Sequence, residues 1–444
     1  MCQPWFGRVK AAAGRLLLLR SGFGSGFRRH GSGMAARVWL EPGYKCLSDE
    51  PVRVRVGGLS PLQPVTMRAG LSDEKGETFG SAAFYRADER GELDLNRSPS
   101  LGGHYTGTEP MGLFWSLTPV KPFSRLVKRD VAGSPLRVHI EVFDGHDGDP
   151  QERPLASCVN ERWFMKEGVT RIPVREGRVR GVLFVPPGSG PFPGVICLHT
   201  INGGVGENKA SLLANHGFIT LALAYLNYED LPKSATNLDL EYFSEAVNFL
   251  KQHPKVKRPG IGAVGISKGG DVVLSMATFL PDVRAAVIIN GCNASAIIGM
   301  HFKNKVISAG VGYSLSRMRV EDSGVANIVD IMNEVNKESL IPVEKAEGTI
   351  LFVVGDEDKN WKSTNYANEA IKRMKKHGNE KFDLLTYQGA GHYLEPPYFP
   401  FCYASYHSVA RMYTMWGGNA KDHAFAQEDM WPKVQSFLKK TLNN

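Results

Sequence analysis

The first third of the chain alternates apolar and polar residues in short segments that are separated by glycine, proline, asparagine and aspartate. Clear examples are residues 52–56, 81–85 and 137–142. A period of two with frequent turn residues predicts antiparallel strands, because successive side chains of a strand point to opposite faces. No run with a helical period interrupts this pattern before Trp163. We therefore predict an N-terminal antiparallel β-sandwich domain over residues 34–166.

The pattern changes after Glu167, where continuous apolar runs alternate with amphipathic ones. The predicted strands are 181–185, 194–198, 219–226, 285–289, 349–354 and 382–387, and the predicted helices are 210–216, 240–251, 367–377 and 431–441. Strands that alternate with helices form a mostly parallel sheet with helices on both faces. We expect this α/β domain to span residues 167–444.

Composition and charge narrow the possible partners. The longest apolar stretches, such as residues 219–226, have the length of a strand and are far shorter than the about 18 residues of a membrane-spanning helix, so no integral membrane segment is expected. The formal net charge is +8, but six basic residues lie within the first 33 positions. The remaining chain has 47 basic and 45 acidic residues. This near-neutral body gives no electrostatic support for binding nucleic acid.

The N-terminal residues resemble a targeting sequence. Residues 1–33 are rich in arginine, glycine, leucine and serine, and no acidic residue precedes Glu41. This composition is typical of a mitochondrial transit peptide, so we expect a protein of the mitochondrial matrix. The alternatives are a disordered basic tail and, because Met34 follows directly, a shorter cytosolic product. The six cysteines lack the paired spacing of a metal or redox site, which favours free thiols.

The strongest chemical motif is Gly265-Ile266-Ser267-Lys268-Gly269-Gly270. It follows an apolar strand at 261–264 and precedes a helical run at 272–279, which is the context of a nucleophile elbow. A serine in such a tight strand-to-helix turn leaves no room for side chains two positions away, so glycine is expected at 265 and 269. The alternative is an ordinary glycine-rich turn.

A nucleophilic serine needs an acid and a histidine, which follow it in that order along the chain. Asp356, Glu357 and Asp358 all come directly after the predicted strand 349–354. Spacing does not choose among them; we favour Asp358, with Asp356 as its rival. His392 follows the strand 382–387 in a glycine-flanked loop, which makes it the preferred base. His377, at the end of a basic helix, is interpreted as solvated.

The oxyanion hole is expected to use the backbone N–H of Lys268 and a second N–H from the loop 199–204, for which Thr200 is the candidate. His199 is a weaker candidate for a second base, and we favour loop packing for it. Residues 144–149 lack the ligand spacing of a calcium loop, and a hairpin turn is preferred. No phosphate-binding or dinucleotide motif follows a strand. The basic group at 372–376 is interpreted as a solvated helix face, with an anionic substrate as the alternative.

Long sequence strings resemble those of the type I acyl-CoA thioesterases, whose family includes the bile acid-CoA:amino acid N-acyltransferases. The resemblance covers nearly all residues after Met34. Its strings are Gly102-Gly103-His104-Tyr105-Thr106-Gly107, Glu109-Pro110-Met111-Gly112-Leu113, Tyr225-Leu226-Asn227-Tyr228-Glu229-Asp230-Leu231-Pro232, the motif at 265–270, Asn360-Trp361-Lys362-Ser363 and Gly391-His392-Tyr393-Leu394-Glu395-Pro396-Pro397-Tyr398. With the basic leader, they favour the mitochondrial member.

This resemblance implies an α/β-hydrolase fold and assigns the catalytic triad to Ser267, Asp358 and His392. It implies hydrolysis of fatty acyl-CoA through an acyl-serine, without a metal or redox cofactor. Family members that transfer acyl groups to glycine or taurine usually carry cysteine at the nucleophile, so serine favours hydrolysis. The alternatives are an amino acid N-acyltransferase, a general carboxylesterase and a catalytically silent binding protein. The loop 199–204 contains fewer glycines than in relatives.

Overall fold

The computed structural model describes residues 35–146 and 153–443. The predicted leader, the alternative start at Met34 and residues 147–149 of the predicted turn lie outside the described residues. Cys46, Cys158, Cys197, Cys292 and Cys402 are free thiols within the described part of the chain.

The N-terminal region consists of two sheets and one helical turn. Its elements are β1 (Arg37–Glu41), β2 (Lys45–Leu47), β3 (Arg53–Gly57), β4 (Pro64–Ser72), β5 (Thr78–Arg86), β6 (Leu93–Asp94), β7 (Gly102–Gly103), α1 (Gly112–Trp115), β8 (Thr118–Pro119), β9 (Leu136–Asp144) and β10 (Ala156–Trp163). One sheet has the order β1-β3-β6, and the other has β2-β10-β9-β4-β5-β7 with β8 added to β5.

Alternating burial explains why these strands enclose a core. In β5, buried and partly exposed residues alternate along the whole strand, as expected for a sheet with one face turned away from water. The inward side chains, among them Val54, Met67, Tyr85 and Ile140, form one apolar cluster. All strand pairs are antiparallel except β2 with β10. The prediction of an N-terminal antiparallel sandwich is confirmed.

The C-terminal region is built around an eight-stranded sheet. Its strands are β11 (Thr170–Glu176), β12 (Val179–Val185), β13 (Gly194–Leu198), β14 (Ile219–Leu223), β16 (Ile261–Ile266), β17 (Val283–Ile289), β22 (Thr349–Gly355) and β23 (Phe382–Tyr387), with β15 (Asn237–Asp239) lying outside the sheet. The order is β11-β12-β14-β13-β16-β17-β22-β23. Pairing is antiparallel at β11–β12–β14 and parallel elsewhere. This order and direction are those of the α/β-hydrolase fold, which confirms the predicted fold class.

Helices cover both faces of this sheet, and its central strands are therefore buried on both sides. They are α2 (Glu207–Asn215), α3 (Leu240–Gln252), α4 (Lys268–Phe279), α5 (Ser363–Lys376) and α6 (Ala420–Asn443). One apolar cluster packs α3, α4 and α5 against the sheet. A second cluster packs α2 and α6 against the opposite face. None of the helices in the described residues is long and apolar enough to cross a membrane.

Among the differences from the elements predicted from sequence, three concern the end of β14, the start of α6 and the segment between β17 and β22. Strand β14 ends at Leu223, three residues earlier than predicted, although the chain remains buried through Leu226. Helix α6 begins at Ala420, and Pro432 lies inside it; proline usually ends a helix, which is why the prediction began at residue 431. The segment between β17 and β22 carries β18 (Gly299–Phe302), β19 (Lys305–Ser308), β20 (Arg319–Val320) and β21 (Ala326–Asn327), none of which was predicted.

A further pair of strands follows β23 and closes the fold. β24 (Ala404–His407) and β25 (Met412–Met415) join β20 and β21 in a small sheet. The two halves of the chain meet at Asp49, whose side chain accepts hydrogen bonds of 2.7 Å from Trp431 Nε1 and His216 Nε2. Arg162 donates from its buried guanidinium to the carbonyl groups of Ser48 and Glu50. The bonds of Asp49 fix the sandwich against α2 and α6, and the bonds of Arg162 hold the loop that carries Asp49.

Candidate active site

Ser267 occupies the turn between β16 and α4 in an unusual backbone conformation. Its φ of 57° and ψ of −128° lie in a region that side-chain-bearing residues rarely adopt. The Ser267 N–H donates to the carbonyl of Ile289 on the neighbouring strand at 2.9 Å. The side chain lies at the carboxyl edge of the parallel strands, where ligands bind in folds of this kind.

The two glycines of the motif make this turn possible. A Cβ atom on Gly265 would overlap the carbonyl of Gly269, and one on Gly269 would overlap the carbonyl of His199. Both overlaps involve backbone atoms, which cannot rotate out of the way. The close approach at Gly269 also brings the loop after β13 against the first turn of α4.

His392 and Asp358 form a buried pair at the same edge of the sheet. His392 Nδ1 lies 2.7 Å from Asp358 Oδ2, and both side chains are almost fully buried. Because a carboxylate accepts but does not donate, the proton of the neutral imidazole resides on Nδ1 and leaves Nε2 free to accept one.

Asp358 is itself held by three donors. Its Oδ1 accepts from the backbone N–H groups of Asn360 and Trp361 at 2.8 and 3.0 Å, and Oδ2 accepts from Ser363 Oγ at 2.5 Å. These bonds fix the carboxylate toward the histidine.

The rival acids have other contacts. Asp356 is exposed, and its carboxylate accepts from the Gly389 N–H at 2.7 Å, so it supports the loop and not the imidazole. Glu357 pairs with Lys359 at 2.7 Å. Of the three acids, Asp358 is the one that contacts His392.

Asn290 joins the parts of the site and was missed by the sequence analysis. It is fully buried directly after β17. Its amide nitrogen donates to the carbonyls of Gly391 and His392 at 3.1 and 2.8 Å, and its oxygen accepts from the Gly355 N–H at 2.9 Å. One side chain thus connects β17, the end of β22 and the histidine loop. The Asn290-Gly291 pair after an apolar strand indicates a turn but gives no sign of these distant partners.

Aromatic side chains surround the imidazole of His392. The Trp416 ring is nearly parallel to it, with centroids 5.8 Å apart, and the Trp361 ring lies 5.7 Å away. His407 also stacks on Trp416, with ring centroids 5.5 Å apart. Burial lowers the pKa of His407 to about 4, so it is neutral at physiological pH. The imidazole of His392 therefore lies in largely apolar surroundings, where electrostatic interactions are stronger than in water.

The residues predicted for the oxyanion hole lie beside the nucleophile turn. Lys268 begins α4, and the first amides of a helix have no acceptor within it. Its side chain points elsewhere, because Nζ donates to Asp271 at 3.0 Å and to the Ile298 carbonyl at 2.6 Å. Thr200 is buried in the loop after β13, and its hydroxyl has no partner among the described residues. Tyr225 Oη donates to the Thr200 carbonyl at 2.8 Å and positions that loop.

His199 packs within the same loop, with its ring against Gly206. Burial lowers its pKa to about 4, which keeps the ring neutral. His377 is exposed at the end of α5, and its Nδ1 lies 2.9 Å from the Arg373 carbonyl.

The direct contact within the predicted triad is that of His392 with Asp358. Within residues 35–146 and 153–443, Ser267 Oγ forms no hydrogen bond with His392, although such bonds often tighten only when substrate binds. The two residues are connected through the backbone, because Ser267 bonds to Ile289 and the next residue, Asn290, bonds to His392. The same described ranges contain no group of three or more metal-ligating side chains.

Comparisons with known proteins agree over both halves of the chain. Residues 49–176 match the profile described as "Acyl-CoA thioester hydrolase/BAAT N-terminal region", and residues 238–444 match "BAAT / Acyl-CoA thioester hydrolase C terminal". Human acyl-coenzyme A thioesterase 2, mitochondrial, is 53% identical over 92% of this chain and 85% of its own length. Human acyl-coenzyme A thioesterase 1 is also 53% identical, over 92% of this chain and 97% of its own.

Among solved structures, the α/β hydrolase GrgF from Penicillium sp. sh18 aligns with a TM-score of 0.41 and 16% identity, over 62% of this chain and 99% of its own.

The close approach at Gly265 leads to a testable prediction. Gly265→Ala forces a methyl group onto the Gly269 carbonyl, so we expect the elbow to distort. Thermal unfolding and hydrolysis of an activated ester measure the effect. The expected result is a destabilisation of about 3 kcal/mol or more, with loss of most activity. The control is Gly43→Ala, because no atom lies within 4 Å of the added methyl group. Equal stability and activity of both variants would contradict this account.

Proposed function

Because the chain belongs to the acyl-CoA thioester hydrolase and bile acid-CoA:amino acid N-acyltransferase family, we propose that it hydrolyses fatty acyl-CoA to a free fatty acid and coenzyme A. The family resemblance found in its sequence strings is thereby confirmed. The observation that carries the proposed chemistry is the buried His392–Asp358 contact beside a serine in a nucleophile turn.

In the first half of the proposed reaction, His392 Nε2 takes the hydroxyl proton of Ser267 as the oxygen attacks the thioester carbonyl. The carbonyl oxygen gains negative charge, which the N–H of Lys268 and an N–H of the 199–204 loop, proposed to be that of Thr200, stabilise. The carbon–sulfur bond then breaks, and His392 donates the proton to the departing sulfur. The product is an acyl-serine ester and free coenzyme A.

In the second half, water takes the place of coenzyme A. His392 removes a proton from water as its oxygen attacks the acyl-serine carbonyl, and the same N–H groups bind the oxyanion. Collapse of this intermediate returns the proton to Ser267 Oγ and releases the fatty acid. Asp358 remains ionised throughout and stabilises the imidazolium that forms in each half. The donors on Asp358 keep it pointed at Nδ1.

Water is the proposed acceptor because residue 267 is serine, whereas family members that conjugate acyl groups to amino acids usually carry cysteine there. An oxygen ester is less reactive toward amines than a thioester, so acylation of serine favours hydrolysis. Transfer to an amino acid is therefore the alternative outcome of the test below.

Replacing the nucleophile tests this proposal. We expect Ser267→Ala to lower kcat for palmitoyl-CoA by about 10³-fold or more while the melting temperature changes little. The control is Ser275→Ala, a buried serine on α4 whose hydroxyl bonds to the Asp271 carbonyl, for which kcat should stay within about twofold. The assay measures fatty acid and coenzyme A in the presence of excess glycine or taurine. An acyl-amino acid as main product would refute hydrolysis, and an unchanged kcat in Ser267→Ala would refute the nucleophile.

We also propose a mitochondrial matrix location. The support is the acid-free basic composition of residues 1–33 and the similarity to human acyl-coenzyme A thioesterase 2, mitochondrial. Human acyl-coenzyme A thioesterase 1 is equally similar. Translation from Met34 would give a cytosolic product.

A fusion of residues 1–33 to a fluorescent protein tests this location, and we expect mitochondrial fluorescence. A control fusion in which Arg15, Arg20, Arg28 and Arg29 are changed to glutamine should be diffuse, because transit peptides depend on positive charge. Diffuse fluorescence from the unmodified leader would contradict the proposal.

A further inference from the structure

An open depression lies on the segment between β17 and β22 at the start of α5. It has a volume of about 420 Å³ and is lined by Ser316, Arg317, Met318, Arg319, Asp330 and Lys362. We call it the basic pocket. Neither the proposed triad nor the proposed oxyanion hole uses any of these residues.

The basic pocket carries an excess of positive charge. Its single carboxylate, Asp330, is shared by two cations: Lys362 Nζ lies 2.9 Å from one oxygen and Arg319 Nη2 lies 3.2 Å from the other. Arg317 forms no salt bridge with a carboxylate among the described residues. Its guanidinium donates to the Met332 carbonyl at 3.0 Å and to the Asn333 side chain. Three cations against one anion leave the pocket with a net charge of about +2. The Arg319 side chain is 78% exposed and therefore free to turn toward a ligand.

A second depression lacks this excess of positive charge. That depression, of about 550 Å³, is lined by Lys45, Lys166, Glu50 and Glu167 among other residues. Its charges balance, and Lys166 already pairs with Glu50 at 3.0 Å. An anionic ligand gains more from the basic pocket, even though the other depression is larger.

The basic pocket adjoins the proposed catalytic centre. Lys362 directly follows Trp361. The Trp361 ring lies 5.7 Å from the His392 ring, and the backbone N–H of Trp361 donates to Asp358. Met318 packs against the apolar cluster that contains Trp361. Trp361 therefore contacts both members of the His392–Asp358 pair and directly precedes Lys362 of the basic pocket.

Resting on the proposed function, we propose that the basic pocket binds the phosphate groups of the coenzyme A portion of the substrate. In an acyl-CoA, a pantetheine arm separates the thioester from a diphosphate and a ribose phosphate. With the thioester at Ser267, the phosphates must lie away from the serine and near the surface. Arginine suits this ligand, because its planar guanidinium forms paired hydrogen bonds with phosphate oxygens. The basic pocket thus recognises the coenzyme A portion of the substrate, and the acyl chain binds to other parts of the site.

Two substrates with the same acyl group test this assignment. One is palmitoyl-CoA, and the other is the palmitoyl thioester of N-acetylcysteamine, which has no phosphate. For the variant in which Arg317, Arg319 and Lys362 are all changed to alanine, we expect KM for palmitoyl-CoA to rise about tenfold or more, with kcat within about twofold. Neither constant should change for the phosphate-free substrate.

The control is Lys372→Ala combined with Lys376→Ala, which removes positive charge from the far end of α5 and should leave both KM values unchanged. Arg319→Ala alone is a milder variant at an exposed position, and we expect about a threefold rise in KM for palmitoyl-CoA. It keeps the test valid if the triple variant does not fold.

Calorimetry with adenosine 3′,5′-bisphosphate separates this proposal from the proposed function. We expect binding to the wild type and to Ser267→Ala, and loss of binding in the triple variant. If the wild type cleaves thioesters but the triple variant keeps its KM and its bisphosphate binding, the pocket assignment is wrong and hydrolysis stands. Equal rises in KM for both substrates would also overturn the assignment. If no thioester is cleaved, the proposed function is wrong, and the bisphosphate measurements alone then show whether the basic pocket binds phosphate groups.

Discussion

The left-handed backbone conformation of Ser267 is the constraint on which the rest of the site depends. A side-chain-bearing residue in such a conformation costs about 1 to 3 kcal/mol, and it persists because the surroundings allow nothing else. The fully buried strand β16 leads into the turn, and the Ser267 N–H donates to a carbonyl on β17. Backbone atoms lie so close to Gly265 and Gly269 that a side chain at either position would overlap them. The same close approach brings the 199–204 loop beside the first amides of α4, where an oxyanion can be bound.

The proposed acid and the proposed base are positioned by the neighbouring strands of the same sheet. Asp358 follows β22, His392 follows β23, and parallel pairing brings both strand ends to the edge that holds Ser267. Asn290 converts this general arrangement into a fixed geometry, because one buried amide bonds to the end of β22 and to the histidine loop. Buried polar groups that are satisfied in this way restrict a site to one arrangement. The apolar rings of Trp361 and Trp416 then limit the access of water to the imidazole.

Local sequence predicted the elements whose signals are local. The apolar runs gave β13, β16, β17, β22 and β23 nearly to the residue, and the glycine spacing identified the turn at Ser267. Spacing could not separate Asp356 from Asp358, because the distinction lies in which carboxylate meets a histidine 34 residues away. Asn290 and Trp416 were missed for the same reason, since their partners are distant in the chain. The short strands between β17 and β22 were missed because strands of two to four residues have too little period to recognise.

We propose that Ser267, activated by His392, is the nucleophile of a thioester hydrolase. The most direct measurement is to inactivate the enzyme with a fluorophosphonate, which reacts with activated serines, and to locate the adduct by mass spectrometry of peptides. We expect one adduct, on Ser267, whose formation is blocked by palmitoyl-CoA and abolished by His392→Ala. An adduct on another residue, or full thioesterase activity after Ser267 has been modified stoichiometrically, would contradict it.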